Sequence, residues 1–153
     1  MSSRKKEKTS VLIKHYRIYR WLYIHNMRIL SYILWKLSQL LLGCSLPPSA
    51  DLKDGVSVAH PIGIVIHQNA IIGKNTYICQ NVTIGRQGKD LEESPVIGEN
   101  CFIGAGACVL GNILIGDNVR IGANAVVLRD IPSNSIAVGI PAKIIRSGEN
   151  CNE

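Results

Sequence analysis

Two patterns of apolar and polar positions share the chain, and they change over near residue 43. Residues 11–25 and 27–42 carry apolar side chains at helical spacing and are predicted to form two helices. In the second, Leu30, Ile33, Leu34, Leu37 and Leu41 line one face, while Arg28, Tyr32, Lys36 and Gln39 lie on another. Asn26 is the expected N-cap of that helix, Gly43 its expected stop, and Pro47–Pro48 rule out continuation. Residues 1–10 read as a polar tail.

From Leu46 onward the count is in sixes. Aliphatic residues fall at Leu46, Leu52 and Val58, resume at Ile66, Ile72, Ile78 and Ile84, and resume again at Ile97, Ile103, Val109, Ile115, Ile121 and Val127. Three residues after most of these stands Asn or Gly (Gly55, Asn69, Asn75, Asn81, Asn100, Gly106, Asn112, Asn118, Asn124), the residues that adopt a left-handed backbone most cheaply. Four residues after comes a small or β-branched residue, as at Ala70, Thr76, Val82, Cys101, Ala107, Val119 and Ala125. Each hexapeptide therefore reads as a short strand and a corner, with the aliphatic and the small residue pointing inward. One rung cannot bury its own apolar face, so the rungs must coil and stack. Three rungs per turn predict an all-β solenoid, a triangular prism with 18 residues per coil.

The count fails twice. Val58 to Ile66 is eight residues, which places two extra residues around His60, Pro61, Ile62 and Gly63. Ile84 to Ile97 is thirteen, one rung plus a protruding loop over 86–94. Breaks in a consistent pattern are where function is expected. A histidine in such a bulge stands outside the packed interior. It either caps the bulge or, as read here, accepts a proton from a hydroxyl, the step needed to move an acyl group from a thioester to an alcohol. His67 falls at a corner and is expected to have a plain surface role. GRQGKD lacks the first glycine and the final Ser/Thr of a phosphate loop, and the glycines of IGAGACVLG are better explained as corners.

Charge sharpens the division. Residues 1–42 carry nine Lys or Arg against Glu7, whereas residues 43–153 carry eight basic and ten acidic residues, so the formal +6 belongs to the arm. The helical stripe is expected to pack against the rest of the protein or a neighbouring subunit; the alternative is peripheral contact with a membrane surface. The run from Met27 to Leu42 contains Arg28, Lys36 and Gln39 and falls short of the ~20 apolar residues of a spanning helix. LLGC at 41–44 looks like a lipoprotein box but follows too long a charged region and is rejected. Five cysteines (Cys44, Cys79, Cys101, Cys108, Cys151) show no metal-type spacing, and their odd number suggests a reducing cytoplasm.

The segment Cys44–Ile145 resembles the left-handed parallel β-helix acyltransferases built on hexapeptide repeats. It is most similar to serine acetyltransferases and the related O-acetyltransferases of bacterial surface-polysaccharide pathways. AHPIGIVIHQNAIIGKN, CQNVTIG, PVIGENCFIGAGACVLGNILIGDNVRIGANAVVLRDIP and AVGIPAKII carry the likeness. The resemblance implies a homotrimer with its active site between neighbouring prisms, and acetyl-CoA as acyl donor. It implies that His60, within HPIGIVI, is the catalytic base. It also implies that Ala105 (IGAGA) and Ala123 (IGANA) lie along the pantetheine arm and that Lys143 (GIPAKII) lies near the CoA phosphates. Serine acetyltransferases carry an Asp where this chain has Ser45, a His where it has Ser94, and a large helical domain where it has about 45 residues. The first departure leaves the group that orients His60 open: Asp51, Asp54, a backbone carbonyl or an acid from a neighbouring subunit.

The organisation expected is a basic helical arm (1–43), an acyltransferase prism (44–146) and a polar tail (147–153). The departures point to a cytoplasmic, acetyl-CoA-dependent O-acetyltransferase acting on a sugar of a cell-surface polysaccharide or its precursor. A serine O-acetyltransferase of cysteine synthesis and a catalytically silent trimeric scaffold are the alternatives. Neither a metal nor a nucleic-acid partner is expected. A zinc-dependent carbonic anhydrase on this fold would need three clustered histidines, and only His60 and His67 lie in the solenoid.

Overall fold

The structure, a computed structural model, describes residues 10–89 and 93–147. The expected tails, apart from Ser10 and Ser147, and residues 90–92 of the 86–94 loop lie outside these.

Among the described residues two helices, α1 (Val11–Ile24) and α2 (Arg28–Leu42), lead into fourteen short strands. The first coil holds β1 (Asp51–Leu52), β2 (Ser57–Val58) and β3 (Val65–Ile66), and the second β4 (Ile71–Ile72), β5 (Tyr77–Ile78) and β6 (Thr83–Gly85). The third holds β7 (Val96–Ile97), β8 (Phe102–Ile103) and β9 (Cys108–Leu110), and the fourth β10 (Leu114–Ile115), β11 (Arg120–Ile121) and β12 (Val126–Val127). Two longer strands close the chain, β13 (Ser135–Val138) and β14 (Lys143–Ser147).

Strands of successive coils pair in parallel into three sheets: β1-β4-β7-β10, β2-β5-β8-β11-β13-β14 and β3-β6-β9-β12. Register reproduces the arithmetic of the sequence. Cys108 pairs with Val126, eighteen residues on; Ser57 pairs with Tyr77, twenty on, across the bulge; Ile71 pairs with Val96, twenty-five on, across the loop. In every strand of the four coils the second residue is buried, which makes a continuous aliphatic column through the prism. The small residues Ala70, Thr76, Val82, Cys101, Ala107, Val119 and Ala125 are buried beside it. Burial pushes the Cys101 thiol up to about 11, as expected of an inward-facing packing residue.

Two features depart from the expectation. Asn75, Asn81, Asn100, Asn118 and Asn124 turn corners with φ of 55–57°, but Asn69 and Asn112 do not; Gly111, at φ 100°, takes the left-handed position beside Asn112. The last coil is also two residues short, with Ile115 bridging Ile131, sixteen residues on. β14 then turns back antiparallel on β13 and covers the end of its sheet.

The other end is capped by α1, because apart from Ser45, whose amide takes up the Ile64 carbonyl, the first coil has no earlier rung to take up its carbonyls. The Tyr16 hydroxyl donates to the Ala50 carbonyl at 2.7 Å and accepts from the Leu52 amide at 3.2 Å. The Tyr19 hydroxyl donates to the Leu46 carbonyl at 2.8 Å, and Arg20 donates to the carbonyls of Pro48 (3.0 Å) and Ala50 (2.6 Å). Desolvation raises both tyrosine pKa values, so they stay neutral donors.

Arg20 also pairs with Asp51 at 2.7 Å, and Lys53 reaches the other oxygen of the same carboxylate at 2.6 Å. The Lys53 hydrogen bond, partly opposed by burial and assisted by Arg20, holds the Asp51 carboxyl below its usual value. A carboxyl more acidic in the native state stabilises fully above the unfolded value of about 4, and that stabilisation fades as pH falls through the native value below it. Asp51→Asn is therefore expected to lower stability at neutral pH by about 0.5–1 kcal/mol, the pair being partly exposed, and to flatten the acid limb of a plot of melting temperature against pH.

Within its own chain, α2 does not turn the apolar stripe inward. Its buried residues are Ser31 and Ser38, flanked by the partly buried Leu34, Trp35 and Leu42. The stripe of Leu30, Ile33, Leu37 and Leu41 is exposed. Small serines let the two helices approach closely, and the Ser31 hydroxyl is satisfied by the Tyr19 carbonyl at 2.6 Å. Asn26 is not the N-cap either. It occupies the left-handed corner between the helices at φ 61°, Met27 takes the cap position without a side-chain bond, and Gly43 ends the helix at φ 61° as expected.

Candidate active site

The prism has three edges, and the site is best described by which edge each residue occupies. One edge joins the sheet of β2, β5, β8 and β11 to the sheet of β3, β6, β9 and β12. His60 projects from this edge in the first coil. The bulge that carries it is shaped by Gly63, at φ 65°, where a Cβ would collide with the Asn81 side chain of the coil above. The Ile62 amide donates to the His60 carbonyl at 2.8 Å, and the Asn81 amide donates to the Ile62 carbonyl at 2.9 Å. The two extra residues are thus absorbed before the stack resumes.

The same edge continues through Gln80, Ala105 and Ala123. The Gly106 amide donates to the Gln80 carbonyl at 3.0 Å, and the Asn124 amide donates to the Ala105 carbonyl at 2.8 Å. His60 and Ala123 are three coil steps apart, about 14 Å at the usual strand spacing. Beyond Ala123 the edge ends at Gly139–Pro141, and the exposed Lys143 follows at the start of β14. All four candidate residues therefore lie along one line, from an exposed imidazole to a cation.

The His60 ring has no hydrogen-bond or ionic partner among the described residues, and its side chain is exposed. Two groups considered for orienting it are engaged elsewhere. Asp51 is held by Arg20 and Lys53, and Asp54 by Arg17 at 3.1 Å.

His67 lies on a different edge, between β3 and β4. Its Nδ1 accepts from the Asn69 amide at 3.3 Å, a local turn contact. The 86–94 loop leaves from the same edge one coil later. A shallow cleft of about 340 Å³ lies there, lined in part by Trp35, Ser45, Val65, His67 and Arg86. Ser94, at the foot of the loop, is buried, and its hydroxyl has no hydrogen-bond partner among the described residues. Ser45 extends the sheet of β3 through a parallel bridge to Val65. The sequence flagged Ser45 only as a departure; its place in this cleft needed the fold, since the wall opposite comes from α2. Among the described residues no group of three His, Cys, Asp or Glu could hold a metal ion.

Known proteins share the repeat and the fold. Residues 94–129 match the family described as bacterial transferase hexapeptide (six repeats). The serine acetyltransferase of Synechococcus elongatus is 46% identical over 135 residues, covering 87% of this chain and 55% of that protein. The crystal structure of the Neisseria gonorrhoeae serine acetyltransferase superposes with a TM-score of 0.85 at 36% identity, covering 91% of this chain and 55% of that one. A serine acetyltransferase solved in complex with CoA superposes with a TM-score of 0.80 at 34% identity, over 88% of this chain and 55% of that one. The chain thus spans about half the length of the relatives it matches. The matches to solved structures extend over the helical arm as well as the prism. By repeat, by coil geometry and by sequence, the chain is a serine acetyltransferase-like hexapeptide-repeat protein with a left-handed parallel β-helix fold.

Proposed function

We propose that the protein is an acetyl-CoA-dependent O-acetyltransferase with His60 as its general base. The observation that carries this reading is the single edge holding an exposed imidazole, two alanine corners and a terminal lysine in line. Acetyl-CoA lies along that edge, its pantetheine arm against the backbone at Ala105 and Ala123 and its phosphates toward Lys143, where a cation meets an anion. The His60 imidazole takes the acceptor's hydroxyl proton as the oxygen attacks the thioester carbonyl. Backbone N–H groups steady the tetrahedral oxyanion. Collapse breaks the C–S bond, and the imidazolium returns its proton to the departing CoA thiolate.

The edge with His60 and the edge with the loop are different edges of one prism. A neighbouring copy in a trimer brings its loop to the His60 edge, which completes the cleft and supplies what one chain lacks around the imidazole.

For the acceptor, the relatives support L-serine over the sugar expected from Ser45 and Ser94, because the named relatives and the superposed structures are serine acetyltransferases. The sugar reading is kept as an arm of the test because Ser94 offers a small hydroxyl where those enzymes offer an imidazole. The test is incubation with acetyl-CoA and either L-serine or a panel of sugars, nucleotide sugars and oligosaccharides, read by mass spectrometry of the acceptor. O-acetylserine as the main product is the expected result. An acetylated saccharide with serine inert would overturn the serine assignment and keep the mechanism. No acetylated product, together with no binding of acetyl-CoA, would leave a silent scaffold.

A further inference from the structure

The exposed stripe of α2 has no role in the edge described above. Ile29, Leu30, Ile33, Leu37, Leu40 and Leu41 are between 42% and 82% exposed, on a helix that buries serines instead. At 100° per residue they occupy one arc, turned well away from the Ser31–Ser38 face that packs on α1. A third arc carries Arg28, Tyr32, Lys36 and Gln39, with Lys36 Nζ 4.3 Å from the Trp35 ring centroid. A soluble surface rarely displays so many aliphatics side by side without a partner.

Charge identifies the partner. Residues 10–49 contain Lys14, Arg17, Arg20, Arg28 and Lys36 and no acid, and residues 1–9 add Arg4, Lys5, Lys6 and Lys8 against Glu7. Arg17 and Arg20 are tied to Asp54 and Asp51, but Lys14, Arg28 and Lys36 have no acidic partner among the described residues. Packing this arm against the same arm of a second copy would bring cations together. An anionic bilayer offers both complements at once, acyl chains for the stripe and phosphates for its flanks. No helix among the described residues is long and apolar enough to cross a membrane, so α2 would lie in the plane of the interface. Tyr32, exposed on the arc beside the stripe, suits that depth.

We propose that α2 is an in-plane anchor that seats the protein on an anionic lipid surface through its aliphatic stripe, with Arg28 and Lys36 reaching the headgroups. The proposal is independent of the acceptor's identity. The test is co-sedimentation of the full chain with vesicles of phosphatidylcholine alone or mixed with phosphatidylglycerol, at low and high salt, alongside light scattering of the free protein. The expected result is binding to the mixed vesicles that weakens with salt. Ile33→Asp/Leu37→Asp should reduce it roughly tenfold or more with the mass in solution unchanged, since the residues removed are exposed. Arg28→Gln/Lys36→Gln should weaken binding and reduce its salt dependence. Wild-type protein that ignores phosphatidylglycerol would overturn the proposal, as would stripe variants that bind normally. Stripe variants that change the oligomer's mass would also overturn it and assign the stripe to a contact between copies.

Discussion

His60→Ala is expected to lower acetyl transfer by about 10²–10⁴-fold while leaving the melting temperature within experimental error of the wild type. The two halves of this result have separate causes. Among the described residues the imidazole is the histidine that projects from the edge holding Ala105, Ala123 and Lys143, so removing it removes the proton acceptor. The ring makes no hydrogen bond or ion pair among the described residues, so removing it disturbs no packing. Product mass spectrometry and a thermal melt on the same sample decide it. Activity within a few-fold of wild type would end the assignment of His60 as base. Loss of activity together with loss of fold would mean that the bulge needs the ring for its shape.

Gly98→Ala is expected to lower stability by about 2–4 kcal/mol. Gly73, Gly98 and Gly116 follow the inward residues of β4, β7 and β10 and stack in one column. A Cβ on Gly98 would sit 2.7 Å from the Gly116 carbonyl carbon and 2.8 Å from the Asp117 amide nitrogen, and would overlap the Asp117 carboxylate. That carboxylate cannot simply step aside, because it accepts from the Glu99 amide at 2.7 Å. Neighbouring coils are held at strand spacing by their ladders, so the added methyl has nowhere to go. Gly88→Ala is the control. Its nearest contact would be the Glu93 side chain at 3.7 Å, and the change should stay within about 0.5 kcal/mol. Equal denaturant midpoints for the two variants would refute the account of the glycine column.

The prism was legible because its rule is local and repeated. Six residues fix a strand and a corner, and the same aliphatic, asparagine and small-residue choices recur until chance is excluded. The two breaks were legible for the same reason, and with them His60 and the loop. Asn69 and Asn112 mark where the rule misleads. Asparagine tolerates the left-handed corner without requiring it, and at the edge shared by His67 and the loop the backbone turns in another way. The shortened last coil was hidden because Ile131 falls off the count of six. The face that α2 turns toward its own chain was not legible. Hydrophobic periodicity finds the oily side of a helix, but the small Ser31 and Ser38 are the buried residues, Ser31 with a hydrogen bond to the Tyr19 carbonyl and Ser38 with no hydrogen-bond partner for its hydroxyl among the described residues. The sequence named three partners for the oily side, the rest of the chain, a neighbouring subunit or a membrane surface, and periodicity alone does not choose between them. The orienting group for His60 is not legible from one chain, since Asp51 and Asp54 are committed to fastening α1.

The edge that links His60 to Lys143 has a further property: it is a ruler. Each coil adds one step of about 4.8 Å, set by backbone pairing and not by side chains. The bulge and the loop add residues without adding a step, since both bend out of the stack. The separation of base and cation is therefore counted in whole coils, and it can change only by a complete turn of the chain. A homologue that gained or lost one coil between them would measure a donor longer or shorter by that step. Substitutions within the coils would leave the measure untouched.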